Sequence, residues 1–251
     1  MINMKKDFEG FVVSVVSGKG GVGKTVISSN LAYLLSKEFN IKTLLIDANI
    51  TNSHIFDIFK IPTNISLNKL LRGESLGFFS FETLDIIPSN IFIDEEDYIN
   101  ISNLPKIMSE LKKHYEAIII DSAPGIGKEA IASIEASDLC LMVSTPFALS
   151  ITDALRIKEI LKYFEKSSML IINMVEKKGY ELKKSEIEYI TDFHAFTLPY
   201  DEKVLEAFSF GELISKYNPK SNFINGLKII AKEIVKEVNL RRKMAYWKEV
   251  I

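Results

Sequence analysis

Short, almost continuously apolar runs rich in β-branched residues recur along the chain, each about as long as a β-strand. A run without polar alternation is typical of a strand whose two faces are both buried. The pattern therefore predicts six strands. They are Phe11–Val16, Thr43–Ile46, Leu84–Ile87, Ala117–Ile120, Leu139–Ser144 and Met169–Ile172.

Segments with apolar residues at helical spacing separate most of these runs. They predict helices at Val26–Phe39, Leu104–His114, Ile126–Ala136 and Ile151–Phe164. Alternating strands and helices favour parallel βαβ units, in which helices cover both faces of one sheet. We therefore expect an α/β fold with a single domain and a mostly parallel, twisted sheet. The segment Asn64–Asn100 mixes Gly, Ser, Phe and acidic residues, and we expect its loops to be exposed.

Two apolar stripes follow each other near the C-terminus. The first is expected to pack on the domain and consists of Leu227, Ile230, Ala231, Ile234 and Val238. The second consists of Leu240, Met244, Trp247 and Ile251. It lies roughly 130° around the helix from the first, so one straight helix cannot bury both stripes against one core. We therefore divide the chain into a domain, residues 1–238, and an amphipathic tail, residues 239–251.

The tail has two interpretations. Arg241, Arg242 and Lys248 lie opposite its apolar stripe, and this arrangement suits a membrane interface. Alternatively, the chain bends near Asn239 and the tail packs on its own domain or on another subunit. A single short tail should bind lipid weakly, and two tails in a dimer much better.

Composition narrows the class of protein. Of the 251 residues 47% are hydrophobic, enough for a sizeable core, and the net charge is −2, so no global positive field favours nucleic acid. The one cysteine, Cys140, lies in an apolar run and is expected in the core. No signal peptide and no apolar run of membrane-spanning length are present, so we expect a soluble intracellular protein.

The first predicted strand leads into a glycine-rich stretch, GKGGVGKT, and then into a helix. The stretch matches the P-loop pattern, in which Gly18 is followed by any four residues and then by Gly23-Lys24-Thr25. Glycines let backbone N–H groups turn toward a phosphate, and the helix adds its positive N-terminus. Lys24 would reach the β- and γ-phosphates, and the Thr25 hydroxyl would bind Mg²⁺. The predicted nucleotide-binding residues here are Gly18, Lys19, Gly20, Gly21, Val22, Gly23, Lys24, Thr25 and Val26.

This stretch resembles the variant P-loop of the MinD/ParA family of ATPases, in which a second lysine, here Lys19, comes early in the loop. The resemblance implies that ATP and Mg²⁺ are bound and that two chains form a homodimer around two ATP molecules. It also implies a catalytic role for Lys19, which would reach the nucleotide of the partner subunit. A long cation there would offset γ-phosphate charge, as an arginine finger does.

Two further segments extend the resemblance to the switches of the family. The segment TLLIDAN places two candidate catalytic residues, Asp47 and Asn49, at the first switch. The segment AIIIDSAPGIG places Asp121 at the Mg²⁺ shell, and Pro124 and Gly125 start the second switch. The family has an aspartate where this chain has Asn49. An asparagine binds water but cannot take its proton, so the resemblance implies ATP binding with slow hydrolysis.

The adenine end of the site is implied by two more matches. Asn173 falls where the family reads the base, and Pro199, Tyr200 and Asp201 fall in the loop that closes over it. Without the resemblance, these residues read equally well as a strand-end turn and a helix N-cap. The guanine-selecting pattern Asn-Lys-x-Asp is absent after Asn173. His54, where the family has an asparagine, is expected to be a surface or switch residue and not a catalyst.

Three functions remain open at this point. The first is a MinD-like switch that dimerises with ATP and acts in intracellular positioning, as in cell division, at a membrane or with a regulatory protein partner. The second is a ParA-like DNA-binding segregation protein, which the charge balance disfavours, and the third is a scaffold that holds ATP without hydrolysing it. The first implies a cytoplasmic protein with a peripheral place at the inner face of the cell membrane.

Overall fold

The structure is a computed structural model that describes residues 8–50, 53–61, 65–73, 77–89 and 100–250, with residues 247–250 described by their backbone alone. Within these ranges, eight strands form one sheet. They are β1 (Phe11–Val16), β2 (Thr43–Asp47), β3 (Phe79–Phe81), β4 (Leu84–Ile87), β5 (Ala117–Asp121), β6 (Leu139–Ser144), β7 (Ser167–Val175) and β8 (Ala195–Pro199).

Ten α-helices connect and cover the strands in the same ranges. They are α1 (Lys24–Lys37), α2 (Ile55–Phe59), α3 (Leu67–Leu71), α4 (Leu104–Leu111), α5 (Lys128–Ala136), α6 (Ala148–Tyr163), α7 (Lys184–Thr191), α8 (Glu202–Ser209), α9 (Ile214–Tyr217) and α10 (Asn222–Val250). The six predicted strands and four predicted helices are present, with ends shifted by a few residues. The apolar pattern did not predict β3, which has only three residues. It also did not predict β8, which lies at the edge of the sheet and ends in proline.

The strand order is β3-β4-β2-β5-β1-β6-β7-β8, and only the β3–β4 pair is antiparallel. The chain leaves β1 for β2 on one side of it and later returns to β6 on the other side. Ligands of open α/β sheets bind at such a point, outside the carboxyl ends of the strands. This end of the sheet carries the loop after β1 and the carboxyl ends of β2, β5, β7 and β8. The prediction of one α/β domain with a mostly parallel sheet is confirmed.

Alternating side chains of each strand build a core on either face of the sheet. Val13 and Val15 pack with α1 and α10, whereas Val12 packs with α4 and Val16 with α6. These strands are buried on both faces, which explains their nearly unbroken apolar runs. Cys140 is buried in the core between the sheet and α6, as expected.

The C-terminal region differs from the second interpretation of the tail in one respect. The chain does not bend at Asn239, because α10 continues as one helix to Val250. The first stripe, represented by Val238, is buried, and Leu240 and Met244 are 52% and 55% exposed. The side chain of Trp247 and all of Ile251 lie outside the described residues. None of the described helices is long and apolar enough to cross a membrane.

Two of the basic residues opposite the apolar stripe of the tail, Arg241 and Arg242, contact the domain. Arg241 donates a hydrogen bond to the carbonyl of Gly10 at 2.8 Å and forms an ion pair with Asp138 at 3.3 Å. Arg242 donates to the Glu116 carboxylate at 2.7 Å. These contacts hold the start of the tail on the domain, at the edge of the sheet opposite to the P-loop. Sequence spacing did not indicate them because the partners are more than 100 residues away.

Candidate nucleotide-binding site

The P-loop turns into α1 at Gly23, whose φ of +92° favours glycine. A Cβ at this position would lie 2.4 Å from the Nδ2 of Asn173, so a side chain is excluded by space as well as by backbone conformation. Gly18 is similarly crowded, because a Cβ there would lie 2.6 Å from the Asp153 carbonyl oxygen on α6. The loop therefore packs closely between β7 and α6 and aims the N-terminus of α1 at the cavity.

Lys24 is the first residue of α1 and is only 8% exposed. Its ammonium group donates a hydrogen bond to the Ser17 hydroxyl at 2.8 Å. Burial lowers the pKa of Lys24, and the negative charge of Asp121 opposes that shift. A phosphate would supply an anionic partner in direct contact with this desolvated ammonium.

Thr25 and Asp121, the two residues predicted to hold Mg²⁺, are in direct contact. The Thr25 hydroxyl donates to Oδ2 of Asp121 at 2.6 Å, and the other carboxylate oxygen, Oδ1, is buried without a hydrogen-bond partner in the described part of the chain. Burial raises the pKa of Asp121, while the Thr25 hydrogen bond and the charge of Lys24 oppose this. A buried oxygen without a partner beside a hydroxyl and a phosphate cradle fits a Mg²⁺ shell, which prefers oxygen ligands.

Asp47 ends β2 directly beside Asp121 on β5. Burial, together with the charge of Asp121, raises the pKa of Asp47 to about 7. Its Oδ1 accepts the backbone N–H of Asn49 at 3.0 Å, and its Oδ2 accepts the Ser53 hydroxyl at 2.5 Å. Asp47 is fully buried and does not line the cavity, whereas Asn49 does. Asp47 therefore holds the first switch in place, and Asn49 faces the ligand.

A cavity of about 360 Å³ extends from this phosphate end along the P-loop to the ends of β7 and β8. Its base end is lined by Pro199, Tyr200 and Asp201, as the sequence predicted. Asp201 also caps α8, since its carboxylate accepts the N–H of Lys203 at 2.9 Å. Asp201 is therefore both a helix N-cap and part of the cavity wall. The volume lies in the range of small-molecule sites.

Asn173 reaches the P-loop through an irregularity in β7. The pairing with β8 shifts register between Ile172 and Val175, and Met174 has a positive φ of 60°. The Nδ2 of Asn173 donates to the carbonyl of Val22 at 2.9 Å. Because an amide donates only through its nitrogen, this bond fixes which way the group faces and leaves Oδ1 as its acceptor.

Lys19 and the second switch complete the comparison with the prediction. Lys19 is half-buried and does not line the cavity of its own chain within the described ranges, although the next residue, Gly20, does. Pro124 lines the cavity, and the N–H of Gly125 donates to the carbonyl of Ser17 at 2.9 Å. The second switch is thus attached directly to the P-loop.

Several lining residues were not predicted. Val204, Leu205 and Phe208 form the face of α8 that looks into the cavity, with Phe223 of α10 beside them. Their helical spacing was a usable signal, but it did not distinguish a cavity wall from core. His54 also lines the cavity, whereas the sequence predicted only a surface or switch position for it.

Comparison with known proteins gives consistent matches. A family model described as the CobQ/CobB/MinD/ParA nucleotide binding domain matches residues 13–214. An uncharacterized ATP-binding protein of Methanocaldococcus jannaschii is 30% identical over 241 residues, covering 92% of this chain and 91% of that protein. The septum site-determining protein MinD of Thermotoga maritima is 29% identical over 241 residues, covering 90% and 88%.

A solved structure has the same fold. The septum site-determining protein MinD from Pyrococcus horikoshii, complexed with Mg-ADP, matches with a TM-score of 0.84 at 24% identity. The match covers 92% of this chain and 98% of that chain. The eight-stranded sheet and its helices are therefore an arrangement already known from a nucleotide-bound protein.

Proposed function

Because the chain belongs to the CobQ/CobB/MinD/ParA family of nucleotide-binding domains, as its P-loop indicated, we propose that it is a MinD-like switch that binds ATP with Mg²⁺. This proposal rests mainly on the cluster of Lys24, Thr25 and Asp121 at the N-terminus of α1, where Lys24 and Asp121 are buried. Thr25 and Asp121 would hold the metal shell, and Mg²⁺ there would neutralise phosphate charge.

The orientation of Asn173 supports adenine as the base. With Nδ2 held by Val22, the amide presents its oxygen, which accepts a hydrogen bond from the adenine amino group. Guanine carries a carbonyl oxygen at that position, and two acceptors facing each other repel. We therefore expect ATP to bind more tightly than GTP.

Dimerisation with ATP is the second part of the proposal. Lys19 does not line the cavity of its own chain within the described residues, and in this proposal it reaches the phosphates of a second subunit. The partner's Lys19 would in return complete this site. An ATP-bound pair of this kind is a switch, because loss of the γ-phosphate removes the charge that joins the subunits.

The switch is proposed to be slow. Asn49 holds the position from which a carboxylate would take the proton of the attacking water, and an amide cannot do so. A scaffold that binds ATP without any hydrolysis is the second candidate, and the same observation favours it. Turnover in the presence and absence of lipid or DNA distinguishes the two.

The proposed place of action is a membrane surface or a protein partner bound by the dimer in the cytoplasm. The half-exposed Leu240 and Met244 are the described part of the apolar stripe of the tail. Two copies in a dimer would bind a bilayer better than one. A DNA-binding role predicts instead a salt-sensitive, ATP-dependent shift of DNA.

Calorimetric titration with non-hydrolysable ATP and GTP analogues tests the proposal. We expect ATP to bind about tenfold or more tightly than GTP, since an unpaired or opposed polar contact costs at least 1 kcal/mol. Lys24→Ala should abolish binding. Lys37→Ala, at the exposed end of the same helix, is the matched control. Equal affinity for the two bases would overturn the assignment of Asn173.

A further inference from the structure

His54 is the one histidine of the three in the chain that lines the described cavity. It precedes α2 and shares the cavity wall with Thr25, Asn49 and Pro124, which belong to the P-loop and the two switches. Its ring meets Phe208 of α8 edge-on, with centroids 5.9 Å apart and planes at 72°. The imidazole thus lies in the cavity wall, between the first switch and α8.

Among the described residues at this end, no other side chain is placed to take a proton. Asn49 is an amide, and the two oxygens of Asp47 accept hydrogen bonds behind the cavity wall. One oxygen of Asp121 accepts from Thr25, and the other suits the metal shell. His54 is exposed at the mouth of the cavity, where a water beside the γ-phosphate would lie within its reach.

We propose that His54 orients the water that attacks the γ-phosphate and accepts its proton, in place of the missing carboxylate at Asn49. This inference rests on the proposed ATP-binding function. In the step, the water oxygen bonds to the γ-phosphorus, and the bond from that phosphorus to the bridging oxygen breaks. ADP leaves with the electron pair. The water proton passes to the unprotonated nitrogen of His54 and then to solvent.

A proton-accepting role of this side chain predicts that turnover rises with pH. Other charged groups lie in the cavity wall or near it, and their ionisation must be distinguished from proton transfer to His54. They are Lys24 of the P-loop, Asp47 and Asp121 behind it, Asp57 on α2 and Asp201 before α8. Asp47 matters most, because its raised pKa of about 7 would give an inflection in the same range.

The test is single-turnover hydrolysis of ATP from pH 5.5 to 9, with ATP affinity measured on the same samples. His54→Gln retains hydrogen bonding but cannot accept the proton. We expect it to lower turnover about tenfold or more and to remove the inflection, without changing affinity by more than about twofold. Adding Asn49→Asp to His54→Gln should restore turnover. His114→Gln, exposed at the end of α4, is the control.

Each other outcome overturns the inference. An inflection that persists in His54→Gln assigns the titration to Asp47. Unchanged turnover, or a wild-type chain that binds ATP without hydrolysing it at any pH, removes His54 from the reaction but leaves ATP binding intact. Failure of the wild-type chain to bind ATP contradicts the proposed function itself.

Discussion

Asp47 and Asp121 end neighbouring strands, and both carboxyl groups are buried. Burial and the charge of Asp121 raise the pKa of Asp47 from 3.8 to about 7. A raised folded-state pKa means that stability present below about pH 4 is lost as pH rises toward 7. The ligand-free protein should therefore unfold more easily at pH 8 than at pH 5.

Urea unfolding at these two pH values measures the effect. One pKa unit is worth about 1.4 kcal/mol, so Asp47 should account for roughly 3 kcal/mol of lost stability across this range. Asp47→Asn should remove most of that loss. Asp57→Asn, an exposed carboxyl on α2, should leave it unchanged. If the free energy of unfolding of Asp47→Asn falls with pH as steeply as that of the wild type, the Asp47 carboxyl group is not the origin of the pH dependence.

Asn49 carries a second prediction at this scale. Asn49→Asp should raise basal turnover of ATP, because a carboxylate adds a proton acceptor of the kind worth ~10²-fold in rate. The gain is smaller where orientation outweighs proton removal, as in loose phosphoryl-transfer transition states. Steady-state phosphate release with saturating ATP measures it. No gain would place the control of the attacking water elsewhere.

Residue roles were predictable from sequence where the chemistry itself demands a residue type. The glycines, Lys24 and Thr25 belong to this class, because a phosphate cradle next to a helix needs them. His54 and Phe208 do not. They meet only because α2 and α8 pack across the cavity, and no local spacing records a contact between residues 54 and 208.

At the scale of elements, α10 joins the domain and the tail in one helix. Arg241 contacts the carbonyl of Gly10, the Asp138 carboxylate and the Phe11 ring, the last at 4.8 Å. Removing it leaves the carbonyl of Gly10 without this donor, whereas Asp138 keeps its hydrogen bonds from Val12 and Lys112. We expect Arg241→Ala to lower the free energy of unfolding by about 1–2 kcal/mol.

Lys236→Ala is the matched control on the same helix, because the exposed Lys236 pairs with Glu233 one turn away and has no other ion pair among the described residues. Its loss should stay within ~0.5 kcal/mol. Chemical denaturation of both variants decides the question. Equal stability of the two would mean that the tail is not held by its arginine. A chain cut at Asn239 loses these contacts too, so truncation alone does not test lipid binding.

Surface substitutions test the membrane role of the tail more cleanly. Leu240→Ser with Met244→Ser should reduce ATP-dependent sedimentation with anionic liposomes several-fold, because it removes exposed apolar area from the proposed contact. Ile229→Ser, an equally exposed apolar position earlier on α10, is the control. Sedimentation that does not change, or none in the wild type, would exclude a role of Leu240 and Met244 in lipid binding.

For the whole molecule, the order of elements followed from the sequence because strands buried on both faces keep an unbroken apolar pattern. Short elements did not, and α2, α8 and α9 supply much of the cavity wall or its support. The site lies where the strand order reverses, which follows from topology and not from any single motif.

The central claim is that ATP joins two chains through Lys19. Light scattering after size-exclusion chromatography, with Mg²⁺ and a non-hydrolysable ATP analogue, tests it most directly. The account predicts a wild-type mass about twice that of the 28.4 kDa chain with ATP and a monomer with ADP. Lys19→Ala should bind the analogue yet stay monomeric, whereas Lys37→Ala should dimerise normally. A Lys19→Ala dimer, or a wild-type chain that stays monomeric with bound ATP, would contradict the account.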